Sequence, residues 1–160
     1  MSAIKSILVP VDFTEISAGA YHYALQLADH LGASVDLLYS IPPVSGAAES
    51  GVFTVKLLET LQDQAREDMD RFFRVEMRTI ARKLESPPAV DTYISTGDLR
   101  HEIRRHAKRE QTDLIVMGTH GAQDGWDKFF GTNASFLLGK SPCPVIVIPE
   151  GVSTRGDETI

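Results

Sequence analysis

Residues 113 to 148 carry the groups that could hold a phosphate. They run Asp113-Leu-Ile-Val-Met-Gly-Thr-His-Gly121, a loop from Ala122 to Phe130, Gly131-Thr132-Asn133 opening a short apolar helix, then Cys143-Pro-Val-Ile-Val-Ile148. An apolar run that stops at a glycine, loops out and re-enters a helix behind Gly-Thr supplies what an anion needs. Small residues let the backbone come close, and the first N–H groups of a helix point outward. Gly118, Gly121 and Gly131 are the positions where a side chain would block that approach. Thr132 adds a hydroxyl and an amide at a helix start, where the dipole favours an exposed anion by about 0.3–1 kcal/mol. The sequence has no Gly-x4-Gly-Lys-Ser/Thr run, which excludes a P-loop hydrolase, and no Gly-x-Gly-x-x-Gly stretch for a dinucleotide.

Other reactive side chains read more plainly. His22, His30, His101 and His106 lack metal-ligand spacing, and His101 and His106 fall off a shared helix face. His120 has no Ser or Cys nucleophile set beside it, so it lines a site and does not catalyse. Cys143, between Pro142 and Pro144, reads as a buried structural thiol.

The elements that must position these groups alternate in type. Ile4 to Val11 is a β-branched-rich strand ending at Pro10 and Asp12. Thr14 to Leu31 repeats apolar residues at helical spacing and Gly32 ends it; Asp12 either caps this helix or contacts a ligand. Ser34 to Ile41 is a second strand. Pro42 to Gly51 is a loop, a cover for a ligand or a plain connector. Phe53 to Leu84 carries one apolar stripe through Leu58, Ala65, Met69, Phe72, Ile80 and Leu84, predicting one long helix broken by Ser86-Pro-Pro. Val90 to Thr96 is strand three, Asp98 the N-cap of a helix bearing Leu99, Ile103 and Ala107, and Asp113 to Met117 strand four. Thr132 to Lys140 is a further helix and Val145 to Ile148 strand five. Alternating strands and helices call for a parallel sheet, with a ligand beyond the carboxyl ends of its strands where strand order reverses.

Composition sets the outer bounds. At 160 residues the chain suits one domain with a real core, and its formal charge of -6 argues against nucleic-acid or membrane-surface binding. The cluster Arg100, Arg104, Arg105, Lys108, Arg109 is offset by Glu102 and Glu110 and reads as a solvated helix face. A single cysteine rules out an internal disulfide, and the absence of a signal-like or membrane-spanning apolar run points to the cytoplasm. Val145, Ile146, Val147 and Ile148 form an apolar sheet edge that an antiparallel copy of itself would close around a two-fold axis.

Four blocks in order resemble the universal stress protein family: Ile7-Leu-Val-Pro-Val-Asp-Phe-Thr14, Asp113 to Gly121, the spacing Gly118-x2-Gly121-x9-Gly131-Thr132, and Ser141-Pro-Cys-Pro-Val-Ile-Val-Ile148. The likeness runs through about Pro149, so residues 1–150 are expected to form one domain and the polar residues 151–160 a flexible tail. It implies an α/β, Rossmann-like open five-stranded parallel sheet, order 3-2-1-4-5, with helices on both faces and homodimers through the last strand. In one subgroup it also implies bound ATP with a divalent metal, here Mg2+ held mostly by phosphate and water. Carried over by residue, Asp12 with Pro10 and Val11 would face the adenine, and Ser40 would meet its edge by backbone. Met117, Gly118, His120 and Gly121 would follow the ribose and α-phosphate, while Gly131, Thr132 and Asn133 would hold the outer phosphates.

This chain departs from the family's nucleotide binders at three points. Its loop Ala122-Gln-Asp-Gly-Trp-Asp-Lys128 offers one cation among Asp124 and Asp127, Ala134 stands where a hydroxyl is common, and Trp126 suits either a ribose or a partner surface. Three functions follow from this balance. The first is a cytoplasmic, dimeric, ATP-responsive regulator that changes the surface it offers an unidentified protein partner. The second is a dimeric interaction protein without nucleotide. The last is a slow ATP hydrolase or adenylyl transferase, for which no base or phosphate-side arginine is evident.

Overall fold

The computed structural model describes residues 2–44, 51–120 and 131–152, so Gly121, the loop to Phe130 and the tail beyond Val152 lie outside the described residues. The strands β1 (Ser6–Pro10), β2 (Ser34–Ile41), β3 (Val90–Thr96), β4 (Leu114–Gly118) and β5 (Val145–Ile148) form one parallel sheet in the order β3-β2-β1-β4-β5. Between them run the helices α1 (Glu15–Leu31), α2 (Gly51–Ile80), α3 (Leu99–Arg109) and α4 (Thr132–Lys140). The order expected from the sequence is the order found.

The alternation of side chains along each strand sorts the core into two layers. Ile7, Val9, Val35, Leu37, Leu114 and Val116 point to one face, under α1 and α2. Leu8, Leu38, Ile115 and Met117 point to the other, under Ile103 and Ala107 of α3 and Ala134 and Leu137 of α4. Because both faces are covered, the central strands are apolar at nearly every position, which is why short β-branched runs announced them.

Helix ends show what the sequence leaves open. Thr14, not Asp12, caps α1, its hydroxyl accepting from the Ser17 N–H at 3.3 Å, and Gly32 ends the helix at φ 64. The long helix stops at Ile80 and tightens into a 3-10 turn, Ala81–Lys83, instead of running to Leu84. Asp29 of α1 explains the break: its two carboxylate oxygens accept the N–H groups of Glu85 and Ser86 at 2.8 and 2.9 Å, pinning an extended chain just before the two prolines. At 30 residues α2 is about 45 Å long. Its buried side chains are Ala65, Met69, Phe72 and Ile80, whereas Leu57, Leu58 and Leu61 are half-buried and Val52, Phe53 and Val55 at its start are exposed.

Tyr21 sits at the centre of the first layer, fully enclosed, and its hydroxyl finds no hydrogen-bond partner among the described residues. Burial and the nearby Glu76 both push its ionisation upward. An enclosed, unsatisfied phenol costs stability that removing the oxygen recovers. Tyr21→Phe is therefore expected to leave stability unchanged or raise it by up to about 1 kcal/mol; a urea midpoint shifted clearly downward would show that the hydroxyl is satisfied after all.

Candidate functional site

From adjacent strands β1 and β4 the chain departs in opposite directions, to β2 and to β5. A crevice opens beyond their carboxyl ends, the place where open α/β sheets bind ligands. Its described walls are Pro10, Val11 and Asp12 after β1, Ser17 in the first turn of α1, Leu99 at the start of α3, Met117 to His120 after β4, and Asn133 and Ala134 at the head of α4. Seven residues expected from the sequence thus meet: Pro10, Val11, Asp12, Met117, Gly118, His120 and Asn133. The described walls enclose about 40 Å3, against about 300–1,000 Å3 for a pocket that surrounds a drug-sized ligand.

The first corner is built around a strained residue. Phe13 adopts a left-handed φ of 65, a conformation costing about 1–2 kcal/mol for a residue with a Cβ. Its ring offsets this by packing on Tyr39, centroids 4.6 Å apart, and edge-on to Phe72 at 5.6 Å. The turn directs the Asp12 carboxylate back onto Thr14, where it accepts from the backbone N–H at 3.1 Å and from the hydroxyl. Asp12 therefore holds the residue that caps α1 while also lining the crevice.

Ser40 stands apart from the crevice walls. Its hydroxyl donates to the Gly97 carbonyl at 2.8 Å, tying the ends of β2 and β3 together. The register turns its own N–H and carbonyl toward β1, one step beyond the bond from Val11 N–H to the Leu38 carbonyl. That is the gap where β1 has ended, and the backbone edge of Ser40 is directed there.

Two of the expected glycines make contacts within the protein itself. A Cβ on Gly118 would fall well inside contact with Ile16 Cγ2 and within 3.3 Å of the Ile16 carbonyl oxygen, so the close approach it permits is that of α1 to β4. Gly131 has ordinary extended angles, φ -63 and ψ 163, and its N–H donates to the Thr119 carbonyl at 2.6 Å. That amide is engaged by the protein itself. The first bond within α4 is from Ser135 N–H to the Gly131 carbonyl, and the glycine N-cap has no side chain to accept from the N–H groups of the first turn. The helix start therefore presents the amides of Asn133 and Ala134 at the crevice, with Thr132 exposed at its rim.

Asp12 is the one carboxylate among the described walls, so these residues offer a divalent ion at most a single carboxylate. Among the described residues no group of three or more His, Cys, Asp or Glu converges on a metal position. His120 bonds its neighbour, Nδ1 lying 3.0 Å from Thr119 Oγ1. Behind Leu99, Asp98 caps α3 by accepting from the Arg100 N–H, and its hydrogen bond to the Arg100 guanidinium pulls its carboxyl down to about 2. Cys143 is half-buried and burial pushes its thiol up, as suits a structural residue. The carboxylates Asp124 and Asp127, with Trp126 and Lys128, lie outside the described residues.

Sequence reasoning passed over Ser17, Leu99, Thr119 and Ala134 as walls, and one buried pair. Asp36, in the middle of β2, accepts from His106 Nε2 of α3 at 2.8 Å, with both side chains enclosed. Arg109 Nη2 donates to His106 Nδ1 at 3.4 Å, which assigns the ring proton to Nε2, and Tyr93 lies edge-on to the imidazole at 4.5 Å. No nucleophile adjoins this pair among these contacts, so it reads as a strand-to-helix clasp.

Residues 3–149 match the model of the Universal stress protein family. Among curated relatives, Universal stress protein A homolog 1 of Coxiella burnetii is 26% identical over 147 residues, covering 90% of this chain and 95% of that protein. Among solved structures, universal stress protein UspA from Lactobacillus plantarum superposes with a TM-score of 0.77 at 30% identity, covering 92% of this chain and 99% of that one. The universal stress protein from Archaeoglobus fulgidus in complex with dAMP shares the fold at a TM-score of 0.61 and 19% identity, covering 92% and 99% of the two chains.

Proposed function

Because this chain belongs to the universal stress protein family, we propose that it binds an adenine nucleotide, ATP with Mg2+, in the crevice between β1 and β4, and acts as a nucleotide-responsive regulator in the cytoplasm. The observation that carries this reading is the convergence of Asp12, the Met117 to His120 segment and the uncapped first turn of α4 at the topological switch point. Adenine would lie against Pro10, Val11 and the backbone edge of Ser40. The amides of Asn133 and Ala134, with the Thr132 hydroxyl, would meet phosphate. The metal would be carried by the phosphates and water. The dAMP complex of the Archaeoglobus fulgidus protein supports an adenine ligand for a site of this fold. Two copies would pair through Val145, Ile146, Val147 and Ile148, an edge strand that β4 covers on one side only.

Two observations favour a second reading, a dimeric interaction protein without nucleotide: the inward bond of the Gly131 amide, and the small space the described walls enclose. Calorimetric titration with ATP, with and without Mg2+, separates the two. Binding is expected to release measurable heat, and ATP at one hundred times its Kd should add about 2.7 kcal/mol, raising Tm by roughly 5–10 °C. Neither heat nor a thermal shift would leave the second reading standing. In Asn133→Asp a carboxylate faces the phosphates, and affinity should drop about tenfold or more while Tm without ligand holds.

A further inference from the structure

The other side of the sheet ends in an edge of unusual character. Among the described residues β3 pairs with β2 alone, through bonds that begin at Val35 N–H to the Ala89 carbonyl and end at Gly97 N–H to the Ile41 carbonyl. In a parallel ladder this alternation turns the N–H and carbonyl groups of Asp91, Tyr93 and Ser95 toward β2, and those of Val90, Thr92, Ile94 and Thr96 outward. Edge strands that must stay single carry lysine, proline, a bulge or little length. β3 has seven residues, mostly β-branched or aromatic, and Asp91 is its only charge.

The side chains of the outward-bonding residues also form the floor of a groove. Val90, Thr92 and Ile94 face α2, and between them and Met69, Phe73 and the rim pair Arg66 and Asp70 lies a space of about 530 Å3. Free main-chain groups and side-chain pockets therefore lie along the same seven residues, which is the combination that receives an added strand. A small molecule would leave the backbone groups unused, and a helix could not reach them.

We propose that this edge docks an extended segment of a protein partner, which adds to the sheet beside β3 as a sixth strand. Its alternate residues are apolar and enter the groove against Met69, Phe73 and Ile94. The rim sets its charge: Arg66 and Asp70 stand one helical turn apart, about 6 Å, matching an acidic and a basic residue two positions apart on a strand, about 6.7 Å. Among the described residues the rim cation Arg66 pairs with exposed Asp63 and the rim anion Asp70 with exposed Arg74, partners that an incoming strand can replace at small cost. The groove lies away from the crevice walls, so this inference goes beyond the nucleotide reading and does not depend on it.

The test uses the whole 15N-labelled chain without nucleotide, titrated with a soluble ten-residue peptide alternating valine and threonine, in which two successive threonine positions near the centre are a glutamate and a lysine. Saturable amide shifts are expected at Val90, Thr92, Ile94 and Thr96, with slowed hydrogen exchange there. A peptide of the same composition with a central proline should give neither. Ile94→Lys, which puts a charge into the groove, and Thr92→Pro, which removes one outward donor without touching a β2 bond, should each weaken binding by about tenfold or more. Shifts confined to β5, equal binding of the proline peptide, or unchanged affinity in either folded variant would overturn the proposal. So would concentration-dependent shifts of the same amides without peptide, which would mean that a second copy of this chain is the occupant.

Discussion

Adding one methyl group at residue 118 is expected to cost about 1–3 kcal/mol, a fall in Tm of roughly 2–12 °C for a domain of this size. The new Cβ of Gly118→Ala would overlap Ile16 Cγ2 and press on the Ile16 backbone, so α1 must lift from β4 or Ile16 must leave its rotamer. The pair Gly118→Ala with Ile16→Ala tests the cause, because the second change removes the atom that is struck. The double variant should be more stable than the sum of the two single losses predicts, by about 1 kcal/mol or more. Strict additivity, or a Gly118→Ala protein as stable as the parent, would place the constraint elsewhere. The same geometry governs how nucleotide experiments are designed. A bulky residue at 118 damages the fold whether or not a ligand binds, so the phosphate end is better probed at Asn133.

The second large effect concerns the clasp between β2 and α3. Asp36→Ala leaves His106 Nε2 without its acceptor in an enclosed space, and the loss should be about 3 kcal/mol. Roughly 6–12 °C of Tm would go with it. Asp36→Asn keeps an oxygen that can accept the same proton, so its loss should be less than half as large. Replacing Asp36 by valine and His106 by leucine should recover much of the stability, because two buried polar groups leave together and the replacements are near them in size. Chemical denaturation of the four proteins decides the matter: an Asp36→Ala protein within 1 kcal/mol of the parent would mean that solvent reaches the imidazole.

Much of the architecture could be read before any coordinates, and the reason is local. β2, β3, α4 and β5 have the boundaries expected, since each is a short apolar run punctuated by glycine, proline or a polar cap. The strand order followed from the resemblance alone. What could not be read are contacts between distant residues. Asp29 stopping α2, Ile16 requiring Gly118, and Thr119 taking the Gly131 amide are each set by another part of the chain. For the site, seven of the residues expected from the sequence line one crevice, while Gly118 is also required by the packing of Ile16 and the Gly131 amide is taken by Thr119. Asp36 left a usable signal: a carboxylate inside an otherwise apolar central strand has to find a buried partner.

The left-handed Phe13 ties the two halves of the molecule's chemistry to one turn of α2. Its ring rests on Phe72, and the next residue, Phe73, lines the groove beside β3. Consecutive rings on one rigid rod thus touch the corner that aims Asp12 and the trough at the far edge. A displacement of that turn would move both rings together, so any coupling between a ligand in the crevice and a strand at the far edge would be equal in both directions.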